Sequence, residues 1–113
     1  MTMSAAKPRM YRVTRDGRFT AERAWGATDI AEVGRITARL HWTDAPCKWH
    51  VNDGNEVLAV LDGRVGMHAR GTAGVEVVCL VVGDVYYAGF GCEHVAHLEG
   101  AAHILVVEKK GSV

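Results

Sequence analysis

The sequence predicts an all-β domain built as an antiparallel β-barrel or jelly roll. Three observations carry that expectation. Short apolar segments recur at regular spacing, Gly-based turns separate them, and no segment sustains a helical period. The first strand is expected at 35–42, where Ile36, Ala38, Leu40 and Trp42 alternate with Arg35, Thr37, Arg39 and His41. Upstream, 29–40 is the best helical candidate, but Gly34 interrupts it. A second strand is expected at 56–61, ended by the turn dipeptide Asp62-Gly63, with a returning strand at 64–70. Gly71 to Gly74 reads as a further turn before a valine-rich strand at 75–82. Gly83-Asp84 then introduces a short strand at 85–88, and 94–98 and 102–108 close the pattern around Glu99-Gly100.

Length and charge narrow the function. The 113 residues suit one domain, with residues 1–10 expected as a loose arm and 35–108 as the core. Lys plus Arg equals Asp plus Glu, at 13 each, so no basic excess points to nucleic acid. No apolar run approaches the roughly 18 residues that a membrane span needs. Residues 1–10 contain Lys7 and Arg9 and no apolar stretch, so no signal peptide is expected. Cys47, Cys79 and Cys92 have no CxxC spacing, which fits a reducing, cytoplasmic setting. Cys79 is read as a small buried hydrophobe.

The chemistry concentrates in two places. His50 precedes a polar turn, and Glu56 opens the apolar run that follows. A hairpin there would put both on one face, and a carboxylate in such a run must be hydrated, paired or metal-bound. His94 begins a later strand after the loop Gly89-Phe90-Gly91. Two imidazoles and a carboxylate form a common site for a divalent metal. Taken singly, each of the three also reads as an ordinary turn or barrel-mouth residue. His41, His68, His97 and His103 have no partner at a telling spacing and are read as structural.

These segments resemble the small single-domain cupins. Their first motif is G(X)5HXH(X)3,4E(X)6G. Glu56-Val-Leu-Ala-Val-Leu-Asp-Gly63 matches its second half, and His50 fits the second histidine, with Lys48 in the place of the first, five residues between His50 and Glu56, and Trp42 in place of the opening glycine. The second motif is G(X)5PXG(X)2H(X)3N. Gly83, Gly91 and His94 fit it at the right spacing, with Gly89 for the proline and Leu98 for the asparagine.

The resemblance implies a double-stranded β-helix with a divalent metal (Fe, Mn, Zn or Ni) held by His50, Glu56 and His94. It also implies a small-molecule ligand beside the metal. Lys48, Trp42 and Tyr87 are candidates to contact that ligand. Trp49, Tyr86 and Phe90 are candidates for a pocket wall or a dimer interface. The leading reading is a metal-binding cupin acting as an oxygenase or isomerase; the alternative is a non-catalytic small-molecule-binding module with a degenerate metal site. A homodimer is expected, with Tyr11 to Trp25 as the candidate exchanged strand.

Overall fold

The structure, a computed structural model, describes residues 8–11, 13 and 23–112. Nine strands run in order: β1 (Gly26–Val33), β2 (Ile36–Thr43), β3 (His50–Val51), β4 (Glu56–Asp62), β5 (Val65–Gly71), β6 (Gly74–Leu80), β7 (Val85–Ala88), β8 (Glu93–Leu98) and β9 (Ala102–Lys109). Among the described residues there is no helix. The strands form a five-stranded sheet, β1-β2-β9-β4-β7, and a four-stranded sheet, β3-β8-β5-β6. Every pairing is antiparallel.

The expected strands are present, and β1 and β3 are two further strands that the sequence reading did not give. The stretch 29–40 is not helical. It holds the end of β1 and the start of β2, paired as Val33 with Ile36. Gly34 sits between them at φ +62, so it makes the hairpin turn rather than breaking a helix. Most of Tyr11 to Trp25 lies outside the described residues. Within the expected loose arm, Arg9 is held by a 2.7 Å hydrogen bond to the Ile30 carbonyl.

Alternation along each strand divides the interior into two zones. Leu58 and Val60 of β4 face inward beside Val106 and Ile104 of β9. Val65 and Met67 of β5 and Ala96 of β8 meet them from the other sheet. Val60, Val65 and Ile104 are each 1% exposed, and each contributes about 1.5–3 kcal/mol by leaving water. Toward the other end the same inward rows turn polar: Leu58 gives way to Glu56, Val106 to Glu108 and Ala96 to His94. On β2 the inward row is Thr37, Arg39, His41 and Thr43, because these pair with inward residues of β9. The polar face of β2 is therefore the interior face.

β6 is an edge strand. Val75, Val77 and Val78 are exposed on it, and so is Cys79, against the expectation of a buried thiol. Cys79 stands opposite Gly66, on the outward row of β6.

Gly63 fixes the β4–β5 turn at φ +84, and a Cβ there would sit 2.4 Å from the Ala101 carbonyl oxygen. Gly34 has open space around it. Gly34→Ala should cost about 1–2 kcal/mol from left-handed backbone strain alone, and Gly63→Ala clearly more. Urea denaturation of the two variants checks this, and equal losses would refute the steric account.

Candidate functional site: a polar cavity between the sheets

A cavity of about 410 Å3 opens between the sheets. Its floor is apolar, from Leu58, Met67, Ala96, Ile104 and Val106. Its polar end is lined by His41, His50, Glu56, His94 and Glu108, with Arg39, Lys48, Cys47, Trp25 and Ser112 completing the wall. His50, Glu56 and His94, singled out in the sequence, are thus brought together. His50 and His94 are directly paired across β3 and β8, with ring centroids 4.3 Å apart. His94 Nε2 lies 3.6 Å from Glu56 Oε1, too far for a hydrogen bond.

Other placements differ from the sequence reading. Lys48 lines the cavity but is exposed. Trp42 and Tyr87 do not line it. Trp42 alternates with the inward His41 and Thr43, and Tyr87 pairs with the outward Val57 and is 63% exposed. Strand parity turns both away. Trp49, Tyr86 and Phe90 are likewise absent from the lining, and Trp25 supplies the aromatic wall. His41, read as structural, is a lining residue.

Two functional residues were missed. Asn52 is 6% exposed and joins the two sheets. Its Nδ2 donates to the Ala88 carbonyl of β7 at 3.0 Å, and its Oδ1 lies 2.8 Å from His94 Nε2 of β8. The signal was present: His50-X-Asn52-(X)3-Glu56-(X)6-Gly63 matches the first cupin motif, with asparagine for its second histidine. Lys48 is therefore not the substituted position. Glu108 is the other. It lies directly opposite Glu56 across β9 and β4, a register that only the sheet order reveals.

Hydrogen-bond partners assign the imidazole protons. Because Asn52 donates to Ala88, its Oδ1 faces His94 and accepts from His94 Nε2–H. His50 Nδ1 meets the Lys48 carbonyl at 3.0 Å and His41 Nδ1 the Trp25 carbonyl at 3.2 Å, so both nitrogens donate. That leaves His94 Nδ1 and His41 Nε2 as lone pairs, and both are buried without a hydrogen-bond partner. Glu56 Oε1 and Ser112 Oγ share that condition. Each such atom costs about 1–3 kcal/mol while unsatisfied.

Burial lowers the His94 pKa to about 4, assisted by the neighbouring His50 charge. Burial also lowers that of His41, with the Trp25 carbonyl opposing. Glu56 is pushed up to about 8, first by burial and then by the hydrogen bond with Glu108 and the charge on it; Asn52 opposes the shift. Burial raises the Cys47 thiol.

Solved structures share this architecture. A cupin-2 domain containing protein from Shewanella frigidimarina is 23% identical, with a TM-score of 0.71 over 80% of this chain and 85% of that one. The chain has the cupin fold. Hydroquinone 1,2-dioxygenase from Sphingomonas sp. TTNP3, solved with 4-hydroxybenzoate bound, is 12% identical, with a TM-score of 0.67 over 78% of this chain and 67% of that one. Hydroxypropylphosphonic acid epoxidase from S. wedmorenis, also solved in an Fe(II) form, is 16% identical, with a TM-score of 0.63 over 73% of this chain and 49% of that one. No protein-family model matches the chain, and no curated protein matches it significantly. Cupin relatives of this kind include metal-dependent enzymes, and a shared fold does not carry their activity over.

As arranged, the donor set does not fit a divalent metal well. The His94 nitrogen nearer Glu56 carries the proton given to Asn52. Among the described residues, no three of His, Cys, Asp and Glu are gathered as a metal-binding group.

The two shifts act on stability in opposite directions. His94 is depressed from 6.5 to about 4, so its contribution is full above pH 6.5 and is lost as pH falls toward 4, where the unfolded chain takes the proton first. Glu56 is raised from 4.5 to about 8, so stability falls as pH rises between those values. Glu56→Gln should flatten the alkaline arm and raise stability at pH 8 relative to wild type. Urea melts between pH 4 and 8 test this, and an unchanged alkaline arm would refute it.

Proposed function

We propose that the protein is a small-molecule-binding cupin whose motif residues hold a ligand by hydrogen bonds and not through a metal ion. The observation that carries this reading is Asn52. It stands where the first motif has its second histidine, and it holds His94 in the tautomer that gives its Nε2 proton to Asn52 Oδ1. The 410 Å3 volume and apolar floor suit a small organic molecule.

A second reading keeps a divalent ion (Fe, Mn, Zn or Ni) on His50, Glu56 and His94, beside an oxygenase or isomerase substrate. The convergence of those three side chains and the unpartnered Glu56 Oε1 favour it. Such an ion would supply Lewis-acid or redox chemistry.

A reducing, cytoplasmic setting goes with either reading, supported by three unpaired cysteines. So does a homodimer, supported by the exposed valines on the β6 edge. A monomeric mass by light scattering at micromolar concentration would count against the dimer.

Metal analysis of protein purified without a histidine tag separates the two readings. Wild type should carry no stoichiometric transition metal, before or after reconstitution. Asn52→His should gain Zn(II) affinity by about ten-fold or more, by analogy with losses at supporting positions of metal sites. Stoichiometric metal in wild type that His94→Ala abolishes would overturn the metal-free reading.

A further inference from the structure

Four buried side-chain atoms among the described residues have no hydrogen-bond partner: His41 Nε2, Glu56 Oε1, His94 Nδ1 and Ser112 Oγ. All four belong to residues that line the same cavity. They come from β2, from β4, from β8 and from the segment after β9. The protein's own groups set their character. Each imidazole gives its N–H to a protein oxygen: His41 to Trp25, His94 to Asn52. What remains on each ring is a lone pair. His94 is 3% exposed, so solvent does not replace a missing donor there.

The charges around these atoms are matched in the same sense. Glu56 and Glu108 face each other across β4 and β9, and the charge on Glu108, together with burial, keeps the proton on Glu56, so the two carboxyls hold one negative charge between them. The lining cations do not answer them. The Arg39 guanidinium is held by Asp29 at 2.7 Å, and Lys48 is exposed at the mouth. The interior end of the cavity is therefore rich in acceptors and poor in donors.

We infer that the ligand is a small organic cation, an ammonium group on an apolar body. This deepens the ligand-binding reading above and rests on it. The charge and N–H groups of the ammonium meet the Glu56–Glu108 pair at the polar end of the cavity. The body lies on Leu58, Met67, Ile104 and Val106. The Trp25 ring in the wall adds attraction for a cation.

Three probes share one body and differ in the head: 2-phenylethylamine, 2-phenylethanol and phenylacetate. Calorimetric titration into the full chain at pH 7, with Zn(II) and Mn(II) alone as further arms, tests the inference. The amine should bind about ten-fold or more tightly than the alcohol, because a charged hydrogen bond is the stronger one, and phenylacetate should bind weakest. Glu108→Gln should remove most of the amine's advantage over the alcohol. Ser112→Ala, near the chain's end, offers a milder variant that should weaken the amine in the same direction.

Alcohol or phenylacetate binding as tightly as the amine would overturn the inference and leave the ligand-binding reading in place. So would the absence of amine binding while either other probe binds. Stoichiometric metal binding with no binding of any organic probe would overturn both.

Discussion

The side chain of Asn52 is the join on which the site depends. One end of its amide reaches β7 in the five-stranded sheet and the other reaches β8 in the four-stranded sheet. Its backbone is held as firmly, donating to Cys92 and accepting from Gly91, both at 2.9 Å. Two sheets that meet through apolar contacts alone can slide; a buried amide bonded to both helps set their register. The same amide decides which His94 nitrogen carries the proton. A single residue thus couples the packing of the domain to the chemistry of its cavity.

That coupling explains how a half-buried cluster of ionisable groups persists. Isolated charges in such a place are costly, and proteins avoid them by pairing or by shifting the pKa. Here His94 stays neutral because burial opposes its protonation, and Glu56 holds its proton because burial and Glu108 oppose its loss. The cluster is kept nearly uncharged by position. The cavity beside it is then polar without being strongly charged.

Much of this was legible in the sequence, and the misses have physical causes. Alternation and Gly turns located the strands because a half-buried strand must repeat every two residues. They could not say which face was inward. On β2 the apolar row, with Trp42 and the buried Leu40, lies on the face away from the cavity, while the row with Arg39 and His41 lines it. A cavity with polar lining inverts the usual rule. His50, Glu56 and His94 were recognisable from motif spacing. Asn52 was hidden because counting began one histidine too early. Glu108 was hidden because its partnership with Glu56 depends on β9 lying beside β4, a long-range pairing that no local pattern records. Trp25 reaches the cavity through a backbone with φ +63, a conformation rare for a bulky residue and not readable from its neighbours.

The position of β9 has a kinetic consequence. This strand is made after the other eight, yet it lies in the middle of its sheet, between β2 and β4. Until it enters, both of those strands present open edges, and the inward row that carries Glu108 does not exist. Sheets closed by such distant pairings assemble slowly, over milliseconds to seconds, because the loop entropy is lost before the contacts form. The nascent chain therefore passes through a stage in which β4 is synthesised and apolar but has nothing on its β9 side. Its encounter with β9 is the step that competes with pairing to another chain.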